Sequence, residues 1–154
     1  MKWMIFFMLW VVGSTVFAQP QAIQVRYLQD YHYYPGGGQT LKQGANCFVI
    51  TNRKQMKKLF GETNRVDTPD FSKEWMLVLV MPRAKWHNKV DIKDVTMKTG
   101  KTIEVYCNVE ESNRKLTYDF NPIKVCTIPI YKGITKINFY EGRHYRSLAS
   151  VAVD

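Results

Sequence analysis

Alternation of apolar and polar residues runs through much of the chain and predicts β-strands. The clearest case is a hairpin, with apolar residues alternating over Val90–Met97 and again over Ile103–Val109, on either side of a turn at Lys98–Lys101. The alternation changes phase inside the first of these strands, which predicts a β-bulge at Lys93 or Asp94.

A different period marks a single helix, Arg53–Phe60, in which the apolar residues follow one another at i, i+3 and i+4. Thr51 or Asn52 is a suitable N-cap, and Gly61 is a suitable end. We therefore expect a short amphipathic helix that buries one face.

The unbroken apolar run Trp75–Met81 predicts a central strand covered on both faces. Four weaker signals predict further strands at Ala22–Gln29, Phe48–Ile50, Ile123–Tyr131 and Lys136–Tyr140. Together these elements predict an α+β fold that is mainly antiparallel: a curved sheet or a partly open barrel of about seven strands, with one helix packed on it. We expect Glu111–Tyr118 to be a loop or a weak hairpin tip and Arg143–Arg146 to be a solvated tail.

The N-terminus has the features of a signal peptide. Lys2 precedes the apolar stretch Trp3–Val12, and Val16 and Ala18 occupy the positions that a signal peptidase reads. We expect residues 1–18 to be removed and residues 19–154 to form a single domain. No cysteine stands at the cleavage site to carry a lipid anchor, and no later segment is long and apolar enough to span a bilayer. The prediction is therefore an exported protein, periplasmic or secreted, of a bacterial envelope.

Composition limits the function classes. The formal net charge is +9, and it falls to +8 without the leader, which holds one lysine and no acid. No zinc-finger spacing, RNA-binding strand motif or helix-turn-helix accompanies this charge, so nucleic acid is not the expected partner. Export favours anionic lipid or glycan surfaces, or acidic patches of proteins. The sequence holds no catalytic template, metal-ligand spacing or cofactor fingerprint, and we predict neither an enzyme nor a bound cofactor.

The chain has three cysteines, Cys47, Cys107 and Cys126, and an exported protein meets oxidising conditions. Three cysteines allow three different disulfide pairings. Strand alternation places Cys107 and Cys126 on core faces, so a disulfide, if one forms, is expected between these two.

Two segments could form binding loops that are rich in aromatic and cationic side chains. The candidate residues are Tyr31, Tyr33, Tyr34, Arg83, Lys85, Trp86 and His87. The tyrosines precede three glycines, and the second group follows the central strand, so both are expected at loops. Aromatic and cationic side chains suit protein, anionic or carbohydrate ligands. The plainer alternative for the tyrosines is a strand end with half-buried rings.

The order of several short motifs resembles the PrcB-like family, named for a non-catalytic subunit of a bacterial surface protease complex. The matching segments are Phe48–Phe60, Pro69–Val80, Val90–Val95, Pro122–Val125 and Ile128–Pro129. The resemblance implies an exported, non-enzymatic domain that associates with other proteins. This chain departs from the family at Pro82–Asn88, where members usually carry a small segment with glycine.

Two functions remain open after these observations. The first is an exported, non-catalytic protein-binding module that stabilises or inhibits a secreted or surface protease. The second is a binder of envelope glycan or another anionic polymer through the basic and aromatic loops.

Overall fold

The computed structural model describes residues 19–142 and 145–153, so the predicted signal peptide lies outside the described part of the chain. Arg143 and His144 of the predicted tail also lie outside it. A short 3₁₀ turn spans Pro35–Gly37. The other elements, in chain order, are β1 Gln21–Ala22, β2 Arg26–Leu28, β3 Asn46–Ile50, α1 Arg53–Phe60, β4 Glu74–Val80, β5 Ala84–Trp86, β6 Lys89–Lys98, β7 Thr102–Glu110, β8 Lys115–Phe120, β9 Ile123–Pro129, β10 Lys136–Glu141 and β11 Arg146–Ala152.

The strands form two sheets that share a buried cluster, and a separate two-stranded ribbon. The first sheet has the order β1-β6-β7-β10-β11, the second has the order β2-β9-β4-β3, and the ribbon pairs β5 with β8. Neighbouring strands are antiparallel except β7 and β10, which are parallel. The predicted α+β class with mainly antiparallel pairing is confirmed. The sheets are not closed into a barrel, and the described residues form eleven strands instead of about seven.

Strand β4 lies between two buried clusters, as its unbroken apolar sequence predicted. Its odd-numbered residues, Trp75 to Leu79, join the cluster between the two sheets. Its even-numbered residues, Met76 to Val80, join a second cluster beneath helix α1. The molecule therefore has three layers: the first sheet, the second sheet and the helix.

Helix α1 begins and ends at the predicted residues. The Asn52 side chain accepts a hydrogen bond from the backbone N–H of Gln55 at 2.9 Å, and Gly61 follows the helix with a φ of 76°. Its buried residues are Met56, Leu59 and Phe60, the three apolar positions of the sequence pattern.

The β6–β7 hairpin also forms as predicted. Its pairing shifts between Ile92 and Asp94, which leaves Lys93 as the bulged residue. Thr99 and Gly100 have φ values of 55° and 68°, and two successive positive values are typical of the turn that matches the twist of a hairpin.

The predicted first strand is in fact two. Strand β1 pairs with β6 in the first sheet, and β2 pairs with β9 in the second. The chain crosses from one sheet to the other between them, where Ile23 is buried and its backbone N–H donates to Val95 O at 2.9 Å. Alternation over eight residues carries no information on which sheet each half joins, so the sequence did not show this crossing.

Two segments expected to be loops contain strands: Ala84–Trp86 and Lys115–Phe120 pair as the ribbon. The C-terminal segment Arg146–Ala152 is an edge strand on β10, and the following residue, Val153, is only 4% exposed in the cluster between the sheets. Tyr145 and Arg146 are exposed, as expected, but Arg146 begins this strand and does not belong to a tail.

Candidate functional site

Tyr31 does not belong to an exposed recognition loop. It is 3% exposed, and its ring meets the Phe60 ring edge-on at a centroid distance of 5.0 Å. The expectation of an exposed aromatic is therefore wrong for this residue. The plainer alternative, a half-buried ring at a strand end, is closer, although the Tyr31 ring is fully buried and lies three residues beyond the end of β2.

Arg65 stabilises the segment that carries Tyr31 through several contacts. Its guanidinium carbon lies 4.5 Å from the centre of the Tyr31 ring, and its N–H groups donate to the carbonyl oxygens of Gln29 and Asp30 at 2.8 and 2.9 Å. A bidentate pair with Asp67, at 2.8 and 3.0 Å, orients the guanidinium. The hydrogen bond from Arg65 holds the pKa of Asp67 below its usual range.

The glycines after the tyrosines allow this segment to approach helix α1 closely. A Cβ atom on Gly37 would lie 2.0 Å from the carbonyl oxygen of Lys58, so only glycine fits there. The Tyr34 N–H donates to Leu59 O at 2.9 Å, and the Tyr34 ring lies against Gly61. These contacts place Tyr34 at the C-terminal end of the helix, where its side chain is 51% exposed.

Between the tyrosine segment and the start of the ribbon lies an open cleft of about 780 Å³, called here the tyrosine cleft. It brings together Tyr31, Tyr33 and Arg83, which come from the two segments that the sequence singled out. Its lining comprises Asp30, Tyr31, His32, Tyr33, Pro35, Thr40, Leu41, Pro82, Arg83, Asp119, Phe120, Asn121, Pro122 and Ile123. Tyr31 forms part of its buried wall, and Tyr33 is half-buried with its hydroxyl donating to Gln39 O.

Arg83 is the cationic group of the tyrosine cleft. Its Nε lies 3.8 Å from Asp119 Oδ2, a distance beyond hydrogen bonding, and its side chain is 67% exposed. The other oxygen, Asp119 Oδ1, is buried and receives no hydrogen bond from the described residues. The Asn121 side chain, which also lines the cleft, donates to Met81 O at 3.0 Å and so joins the segment after β8 to the end of β4. The guanidinium forms an ion pair with Asp119 but donates no hydrogen bond to a described residue, so its N–H groups can bind an incoming carboxylate or carbonyl.

The other predicted residues of the second segment lie outside the cleft. Lys85 and Trp86 are exposed on strand β5, and the backbone N–H of half-buried His87 donates to Arg114 O at 2.9 Å. Pairing with β8 therefore separates Arg83 from the cation and indole that follow it in sequence.

The solvent face of helix α1 is a charged feature that the sequence interpretation missed. Arg53, Lys54, Lys57 and Lys58 are all exposed there, and the helix contains no acidic residue. The first two stand in the first turn, against the helix dipole, and the four form two like-charge pairs at i, i+4, each destabilising by roughly 0.2–0.5 kcal/mol. The cations stand in the sequence, but the apolar stripe that predicted the helix carries information only on its buried face.

The three cysteines are free thiols that share one region of the core. Cys107 and Cys126 are buried in the cluster between the sheets, and Cys47 packs against the same cluster. Burial raises the pKa of Cys107 and of Cys126 to about 12, and it raises the pKa of Cys47 as well. Alternation therefore does not separate Cys47 from the other two, and the Cys107–Cys126 bond stays a prediction.

Among residues 19–142 and 145–153, no helix has the length and apolar character needed to cross a bilayer. In the same residues, no three His, Cys, Asp or Glu side chains are grouped so as to hold a metal ion. Comparison of the chain with protein-family models, with curated proteins and with solved structures found no match, and the resemblance to the PrcB-like family stays a prediction.

Proposed function

We propose that this chain is an exported, non-catalytic protein-binding module whose partner occupies the tyrosine cleft. The observation that supports this proposal is the meeting of Tyr33 and Arg83 in one open cleft, although 50 positions separate them in the sequence. Tyrosine and arginine are the residue types that dominate the binding energy of protein interfaces.

The rigidity of the cleft walls supports the same proposal. Tyr31 is buried against Phe60, and the Arg65 guanidinium packs on its ring, so one wall of the cleft is part of the core. The opposite wall begins at Pro82, directly after the central strand. A site on a rigid scaffold loses little conformational entropy when a partner binds.

The resemblance to the PrcB-like family suggests the kind of partner. It makes a secreted or surface protease the first candidate, which the module would stabilise or inhibit. An acidic or carbonyl-rich segment of that partner would suit the exposed guanidinium of Arg83.

Affinity capture from the native envelope and culture fluid, followed by mass spectrometry, is the experiment that identifies the partner. We expect a stoichiometric complex with the processed chain. Arg83→Ala should then weaken binding by about 10-fold or more, because it removes a central cationic anchor. Lys85→Ala is the matched control, since Lys85 is an exposed cation two residues away that does not line the cleft.

Two outcomes would count against the cleft. Equal weakening by Arg83→Ala and Lys85→Ala would show that the general positive charge of the ribbon matters. Unchanged binding in both variants would place the partner elsewhere on the surface.

A second candidate function, binding of envelope glycan or another anionic polymer, rests on the ribbon. Trp86 is 46% exposed and pairs across the ribbon with the exposed Lys115, so the two side chains share one face. An indole beside a cation offers stacking and charge to an acidic sugar. Salt separates the two functions, because binding to a polymer through many charges weakens steeply as ionic strength rises, whereas a protein complex with one cationic anchor and aromatic contacts weakens much less.

A further inference from the structure

The dipole of helix α1 favours Lys57 and Lys58 in its last turn, but helix stability does not explain the two cations at its start. Arg53 and Lys54 occupy the first turn, where the helix dipole disfavours cations. Lys54 and Lys58 stand one turn apart on the side of the helix opposite to its buried residues, and they repel each other. An anionic surface in front of the helix would turn each of these unfavourable positions into a favourable one.

Little within the molecule neutralises this face. Among the ion pairs of the described residues, Lys57 alone of the four cations has a carboxylate partner, Glu62, at 2.6 Å. Arg53, Lys54 and Lys58 are exposed and make no ion pair with a described residue.

Two exposed side chains with apolar surface accompany the C-terminal end of the same helix. Tyr34 is half-exposed against Gly61. Val66 is fully exposed in the loop that follows the helix, six positions after Phe60. Tyrosine and aliphatic side chains beside cations are typical of segments that bind the interface of a bilayer, whereas an exposed valine adds nothing to binding of a polyanion.

We propose that helix α1 docks the protein on a bilayer rich in anionic lipid, with its cations on the headgroups and Tyr34 and Val66 at the interface. This surface is separate from the tyrosine cleft, since none of Tyr34, Val66 and the four helix cations lines that cleft. The proposal therefore does not depend on the protein partner. A cation close to such a surface strengthens binding by about five-fold.

The test is co-sedimentation of the chain that begins at Gln19, which holds both buried clusters, with lipid vesicles. We expect binding to vesicles of phosphatidylcholine with about 30 mol% phosphatidylglycerol and none to phosphatidylcholine alone. The double variant Lys54→Gln/Lys58→Gln should weaken binding by about 25-fold. Its folding is not at risk, because the change removes a repulsion, and a thermal melt checks this.

The matched control is Lys101→Gln/Lys132→Gln, which removes the same charge from two exposed turn residues in other parts of the chain. It should change vesicle binding by less than about two-fold. Equal loss in both double variants would overturn the proposal in favour of a general effect of net charge. Failure to bind the anionic vesicles would also overturn it, and binding to polyglutamate that depends on Lys54 and Lys58 would then assign the face to an acidic polymer.

Discussion

Tyr31 and Tyr34 show how neighbours assign different roles to the same residue type. Tyr31 meets Phe60 and Arg65 and is buried, whereas Tyr34 lies on glycines that leave half of its ring exposed. Three positions separate them in the sequence. Their side chains therefore contribute to different properties, Tyr31 to stability and Tyr34 to a surface.

The pairing of Arg65 with Asp67 leads to a prediction about pH. The pKa of Asp67 is lowered in the folded state, so its contribution to stability is present above its ordinary value of 3.8 and is lost as the pH falls through the lowered pKa. Asp67→Asn should therefore reduce the melting temperature by about 2 °C at pH 7, and the difference from the parent should shrink in acid. Thermal melts from pH 7 to pH 2 measure this.

Asp30→Asn is the control for that series. Asp30 accepts from Arg65 only through its backbone carbonyl, which the substitution keeps. Its positive φ of 58° is tolerated by asparagine. A pH-independent difference between Asp67→Asn and the parent would show that the ion pair does not stabilise the segment.

Helix α1 and the central strand β4 form where the sequence pattern predicted them, because the local signals of each element and its packing in the core favour the same structure. The helix has a cap, an apolar stripe and a terminal glycine, and each one is used. The β5–β8 ribbon lacks such agreement, because most of its residues are exposed and its pairing is irregular between Ala84 and Trp86. Partners distant in sequence determine it, so a local pattern could not show it.

The docking of the 3₁₀ turn on helix α1 gives a prediction about two neighbouring glycines. Gly37→Ala should lower the free energy of unfolding by about 1–3 kcal/mol, because the added methyl would overlap the fixed carbonyl of Lys58. Gly36→Ala should cost less, because its methyl would meet only the mobile end of the Tyr34 side chain. Urea unfolding of both variants measures the difference, and equal losses would contradict the close approach.

The arrangement of the whole molecule depends on its C-terminal segment. Strand β10 pairs in parallel with β7 on one side and antiparallel with β11 on the other, so β11 forms the edge of the first sheet. Val153 then enters the cluster between the sheets. The segment that follows the expected tail therefore completes both a sheet and a core.

Adjacent residues of this segment provide the test. Val153→Asp should lower the free energy of unfolding by about 2 kcal/mol or more, because it buries an unpaired carboxylate. Ala152→Asp introduces the same charge at an exposed position and should change stability by roughly 0.5 kcal/mol or less. Similar effects of the two substitutions, measured by thermal and urea unfolding, would show that the segment is not anchored in the core.

Residue pattern was sufficient for elements whose stability comes from near neighbours. It predicted the helix bounds, the two-faced central strand and the bulged hairpin, because each depends on a period, a cap or a turn within about twenty residues. Trp86 is exposed, as expected for the segment after the central strand, although it lies on a strand and not in a loop. The predicted export, the family resemblance and the disulfide stay predictions.

Long-range pairing decided the rest. It divided the first strand between two sheets, placed β7 beside β10 and joined Tyr33 to Arg83 across the tyrosine cleft. It also set helix α1 on the second sheet with its four cations outward. A periodic pattern shows which face of an element is buried, but not which other element covers it, because many apolar surfaces of the same chain would satisfy the same face.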